Sequence, residues 1–308
     1  MSEETNLQTL LSRYQVRKNQ QQKAAFFRYA QAVSHSAGYP CEIEEVGGRT
    51  VSRNIIAGDP EKAKVIFTAH YDTCAEMPLP NLVYPRSMLL TFLAQMPLIL
   101  MMAALAVGAV RLTLLFASRN EASLVGYAVY FGLLFLFYFG PANPHTANDN
   151  TSGVAALMEI MAAIPPDKRT DAAFIFFDNE EKGKVGSKAY HKAHPGIMEG
   201  KVLLNLDCVG DGDDLFVVAP KNADEALTTL LNATFQDGDG KRVHHVSAHN
   251  THYNSDQKSF PNGVAVAACR QGKLGYHIPR IHTRRDVICD ESNLRFVRDC
   301  ALRLMEQV

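Results

Sequence analysis

Five short patches of this sequence carry side chains that can bind a divalent metal and move a proton. They are His70-Tyr71-Asp72, Asn148-Asp149-Asn150-Thr151-Ser152-Gly153, Asp178-Asn179-Glu180-Glu181, Leu206-Asp207, and Ile281-His282-Thr283-Arg284-Arg285-Asp286. An imidazole ligates a metal through one ring nitrogen while a nearby carboxylate fixes its orientation. His70 can be such a ligand, and Asp72 can hold its ring or hydrogen-bond nearby as a supporting carboxylate, although H-x-D also arises by chance. The Ser, Thr, Asn and Gly around Asp149 equally suit a helix N-cap. Adjacent glutamates usually belong to a solvated loop, but Glu180 and Glu181 follow the wholly apolar run 173–177, where unpaired charge is costly. Each patch alone has a bland explanation. Together, four of them after apolar runs or before a helix, they point to one polar site at the ends of buried strands.

The elements that must position them are legible as short apolar runs. Residues 65–69, 173–177, 202–206 and 264–267 read as buried strands, with a further strand at 52–57. Helical patterns fall at 5–37, 153–164, 186–193, 223–235 and 292–305, and a polar stretch containing Gly47 and Gly48 follows the first of them. Strands alternating with helices imply an α/β fold, a mainly parallel central sheet sandwiched by helices. In such sheets ligands bind beyond the carboxyl ends of the strands, where these patches lie.

Lys plus Arg number 31 and Asp plus Glu 32, a balance that gives no electrostatic case for nucleic acid. The six cysteines form no C-x-x-C pair and read as reduced thiols. The N-terminal region is polar and lacks the apolar stretch of a secretory signal. Residues 88–110 and 124–140 are nearly all apolar, joined by a link holding Arg111 and Arg119. They read as a hydrophobic helical hairpin, the first arm long enough for a bilayer, which needs about 20 residues. The expected organisation is a catalytic domain of residues 1–85 and 141–308, with a membrane-associated hairpin inserted at 86–140 and membrane contact through 88–140.

The ordered set H-x-D, N-D-N-x-S-G, E-E, N-L-D and H-T-x-x-D resembles peptidase family M28, from about residue 52 to the C-terminus apart from the insert. Ser255-Asp256 with Phe260 is similar to a further S-D-x-x-x-F stretch. The resemblance implies two zinc ions, one held by His70 and Asp207, the other by Glu181 and His282, with Asp149 bridging. It implies Glu180 as general base, Asp72 as a supporting catalytic carboxylate, a cis bond between Asp149 and Asn150, and an aminopeptidase hydrolysing short peptides. Two such ions acidify a shared water and polarise the scissile carbonyl, and Tyr253 is a candidate second donor to the oxyanion. Ile281, Arg284, Gln257 and Asn179 depart from the common pattern; none is a ligand, so they bear on substrate preference. A glutaminyl cyclase-like acyltransferase would keep a single zinc, and an inactive membrane-anchored scaffold would have lost Glu180 or a ligand. The oligomeric state is open. The two link arginines favour a cytoplasmic link by the positive-inside rule. The basic N-terminal region, which would have to cross first, and the reduced thiols favour a cytoplasmic catalytic domain, and that is the expectation adopted.

Overall fold

A computed structural model describes residues 4–308. The chain runs α1 (Asn6–Arg13), α2 (Gln20–Ser36), β1 (Cys41–Gly47), β2 (Val51–Ala57), β3 (Val65–His70), α3 (Met88–Thr113), α4 (Arg119–Phe139) and α5 (Gly153–Ala163). It continues through β4 (Ala172–Phe177), α6 (Val185–Ala193), β5 (Val202–Leu206), β6 (Asp214–Ala219), α7 (Glu225–Thr234), β7 (Arg242–Ser247), β8 (Gly263–Gly272), β9 (Gly275–His277) and α8 (Glu291–Glu306).

The apolar runs become the middle of one sheet. Strands β4, β3, β5 and β8 lie side by side, all parallel. Every residue of β3 and β4 is buried, because helices cover both faces, and such strands show no polar alternation. The large core between sheet and helices joins Phe67, Phe174 and Phe176 to Leu157 and Ile160 of α5 and to Leu294 and Val297 of α8.

The sheet as a whole is mixed. The β1–β2 hairpin pairs antiparallel with β4, and β6 runs antiparallel to β8 while pairing parallel with β7. Parallel pairing recurs wherever a helical crossover returns the chain to the same end, in the central four strands and again at the β6–β7 edge, which α7 connects. Strand β1 hides in sequence because it is an edge strand, polar on its exposed side, with the pattern Cys-Glu-Ile-Glu-Glu-Val-Gly.

The segment expected as one helix over 5–37 is two. Asn19 caps α2 through a reciprocal pair with Gln22, in an extended backbone conformation that a continuous helix would not allow. Between the helices the chain dips inward at Arg17, which is fully buried. Its backbone N–H donates to the Thr73 hydroxyl at 3.0 Å, and its guanidinium donates to the Tyr71 carbonyl and to Thr151 Oγ1.

Helices α3 and α4, of 26 and 21 residues, form an antiparallel pair. At about 1.5 Å per residue each covers the roughly 30 Å of a bilayer's hydrocarbon core. Their apolar side chains face outward; Leu100, Leu105, Val107, Phe131 and Phe135 are all exposed. Gly126 lets them approach, since a Cβ there would lie 2.4 Å from a Val110 methyl. The two feet of the pair meet where Ala75 bridges Ala142 and Glu76 N–H donates to the Pro141 carbonyl at 3.0 Å.

Candidate metal centre

Because β3, β4 and β5 are parallel and adjacent, their carboxyl ends share one edge of the sheet. His70 closes β3, the Asp178–Glu181 turn follows β4, and Asp207 follows β5. Asp149 enters from the irregular segment before α5, with a cis bond to Asn150, and His282 comes from the loop after β9.

The five expected ligands converge into two groups. His70 Nε2 lies 3.3 Å from Asp149 Oδ1 and 3.6 Å from Asp207 Oδ1. His282 Nε2 lies 3.0 Å from Asp149 Oδ2 and 3.3 Å from Glu181 Oε2. Asp149 therefore gives one oxygen to each group. Glu181 Oε1 and Asp207 Oδ1 are out of solvent and have no hydrogen-bond partner. Buried carboxylate oxygens without a donor are expensive, and a cation removes the expense. Imidazole nitrogens with carboxylate oxygens are also the donors of catalytic zinc, so the residues fit that metal.

The N-D-N-x-S-G motif holds Asp149 in place. Asp286 accepts the backbone N–H groups of Asn148 and Asp149 at 2.8 and 3.0 Å. Asn150 donates to the Leu206 carbonyl and accepts from Gly153 N–H, both at 3.0 Å. Asn148 and Ser152 accept the N–H groups of Gly210 and Val209. At Gly153 a Cβ would come within 2.3 Å of the Leu206 oxygen, so no side chain fits.

Of the two roles open to Asp72, holding the His70 ring or bonding nearby as a supporting carboxylate, its contacts match the second and differ from the first. Its carbonyl, not its carboxylate, meets His70 Nδ1 at 3.1 Å, the nearer carboxylate oxygen standing at 3.7 Å. The carboxylate instead accepts the N–H groups of Glu180 at 2.9 Å and Glu181 at 3.3 Å, and so aims the glutamate pair. Tyr253 also differs, because its hydroxyl donates to the Asp207 carbonyl at 2.9 Å and its proton is already committed. Of the four departures, Arg284 pairs with Glu76 and Asn179 bonds to Ser52, both away from the two groups, while Ile281 stands beside His282 in the cavity wall.

Two residues, Arg17 and Cys74, escaped the sequence reading, and a third, Asp256, was noted there only as part of a motif without a role. Arg17 brings a buried cation to the backbone beneath His70 and Asp149. Asp256 is fully buried with both carboxylate oxygens unpartnered, and burial pushes its pKa up to about 7. Cys74 places its sulfur with the ligating atoms of Glu181 and His282, all within 4.8 Å of one another. Only the Ser-Asp pair had left a trace in sequence.

Electrostatics follow from so many acids in one place. Burial pushes the Glu180 carboxyl well above its ordinary range, with His70 opposing and Asp256 adding to the rise. Burial likewise takes Glu181 to about 7. Burial works against charge on His282, but Glu181 and Asp149 outweigh it and hold the ring at about 10. Both groups open into a cavity of about 750 Å³ that is also lined by Leu98, Ile99 and Met102 of α3 and Leu134 and Phe137 of α4.

The model of peptidase family M28 matches residues 129–305, which include every expected ligand except His70. No curated protein sequence matches the chain. Among solved structures, the fold is similar to the Porphyromonas gingivalis glutaminyl cyclase, with TM-score 0.63 and 17% identity over 98% of this chain and 96% of that one. It is similar also to a Zn-dependent exopeptidase from Parabacteroides distasonis, with TM-score 0.59 and 15% identity over 99% of each chain. A leucine aminopeptidase precursor from Bacteroides thetaiotaomicron gives TM-score 0.58 and 16% identity, over 98% of this chain and 94% of that one.

A metal-ligating imidazole must be neutral, whereas carboxylates keep His282 protonated at neutral pH. Zinc uptake by the stripped protein therefore releases protons, and affinity rises with pH. Calorimetry at pH 7 in buffers of different ionisation enthalpy should give binding heats that vary with the buffer. Buffer-independent heats would contradict this.

Proposed function

The chain belongs to peptidase family M28, and from that premise we propose that it is a two-zinc aminopeptidase acting on short peptides. The observation that carries this reading is the pair of donor groups sharing Asp149, with Glu180 beside them on the cavity wall. His70 and Asp207 would hold one ion, Glu181 and His282 the other. Zinc, when bound, supplies Lewis acidity toward the scissile carbonyl and an acidified water.

The protein's own part is positioning and proton transfer. Glu180, aimed by the Asp72 carboxylate through its backbone N–H, accepts the proton of the attacking water and returns it to the leaving amine. A base raised above the ordinary carboxylate range suits that double task. The second reading is acyl transfer of the glutaminyl cyclase kind, encouraged by the similarity in fold. Such an enzyme keeps a single zinc, and two complete donor groups favour hydrolysis. A scaffold without activity is disfavoured because Glu180 and all five ligands are present.

For the chain's organisation we propose a catalytic domain of residues 1–85 and 141–308 and a membrane-inserted hairpin of 86–140, with the catalytic domain in the cytoplasm. The support is the apolar outer surface of α3 and α4 and their bilayer-spanning lengths. The same hairpin roofs the cavity, which suits short peptides better than folded chains.

Turnover of an aminoacyl and dipeptide panel, beside N-terminal glutaminyl peptides, separates the two reactions: hydrolysis is expected, and cyclisation alone would overturn the reading. Glu180→Gln keeps the shape without the base and should lower kcat at least about 10²-fold with metal content unchanged; near wild-type turnover would assign the base elsewhere. The chain should fractionate with membranes and need detergent for release, and protease added outside intact cells should leave the catalytic domain uncut. Full solubility without detergent would end the membrane proposal.

A further inference from the structure

We infer that Cys74 is a further protein donor to the ion held by Glu181, His282 and Asp149, which gives the two metal positions unlike chemistry. The inference rests on the metal-centre reading and adds a ligand to it. Cys74 is buried, yet it belongs to none of the three apolar clusters formed by the described residues, so packing alone does not account for it. Its segment is fixed at the site. The Cys74 carbonyl accepts the Asn143 N–H at 3.2 Å, and three residues on Met77 N–H donates to the His282 carbonyl at 2.7 Å. Its sulfur, a carboxylate oxygen of Glu181 and a ring nitrogen of His282 all lie within 4.8 Å of one another. Ligands roughly 2.0 to 2.3 Å from one zinc stand within about 4.6 Å of each other, so a small inward movement completes the set. The same group holds Glu181 Oε1, shut away from solvent with no partner, an oxygen that an ion at this position would meet.

On binding, the S–H bond breaks, the sulfur lone pair goes to the metal, and the proton leaves to the buffer. A thiolate there selects zinc or cobalt over hard ions such as magnesium. The position built from His70, Asp207 and the other Asp149 oxygen has nitrogen and oxygen donors only.

The test uses the full chain in detergent, stripped by chelator and reloaded with cobalt. Bound cobalt should show visible ligand-field bands together with a near-ultraviolet sulfur-to-cobalt charge-transfer band. Cys74→Ser and Cys74→Ala should each lose the charge-transfer band while still binding cobalt. Cys208→Ser, which removes the nearby thiol after Asp207, should keep it. Visible bands without charge transfer in the unsubstituted protein, or charge transfer that survives loss of Cys74, overturns the inference and leaves the metal centre standing. Failure to bind any cobalt overturns both.

Discussion

Asp149 sits between two histidines with one carboxylate oxygen toward each, and most of the surrounding structure serves to keep it there. Burial alone would push a proton onto this carboxyl; His282 and His70 hold it below its ordinary range instead. Its backbone is pinned by Asp286, its neighbour Asn150 is tied across to β5, and Gly153 makes the close approach to that strand possible. Around it carboxylates outnumber cations, with Asp72, Asp207, Glu180, Glu181 and Asp256 all nearby. A buried surplus of negative charge is tolerable only with compensation. Arg17 supplies some from below, and two divalent ions would supply the rest.

The hairpin gives this centre its setting. It leaves the α/β fold just after the Asp72 segment and returns just before Asp149, so both its feet stand at the candidate metal centre. One face of α3 looks into the cavity and the others look outward as apolar surface. The polar and the apolar parts of the cavity lining thus come from different parts of the chain.

What could be read in the sequence and what could not divide along a physical line. The buried parallel strands were legible because helices on both faces demand unbroken apolar runs, as at 65–69 and 173–177. Four of the five candidate ligands were legible because each follows such a strand or enters a helix, positions where polar side chains are conspicuous; His282 lies in a loop and stood out only by its place in the motif order. Edge strands β1 and β7 were not, since partial solvation lets charged residues in. The break at Arg17 was invisible because its causes are distant: the partners Tyr71 and Thr151 lie 54 and 134 residues away. Cys74 carries no local pattern and Asp256 only the short S-D-x-x-x-F stretch; both gain meaning where the fold brings Glu181, His282 and Glu180 beside them.

The claim on which the rest depends is that Asp149 is shared by two ions. Crystals of the zinc-loaded protein, measured on both sides of the zinc absorption edge, test it directly. The account predicts two anomalous peaks about 3.5 to 4 Å apart, one beside His70 and Asp207 and the other beside Glu181 and His282. A single peak at full zinc loading, or two peaks with Asp149 turned away from either, would contradict it.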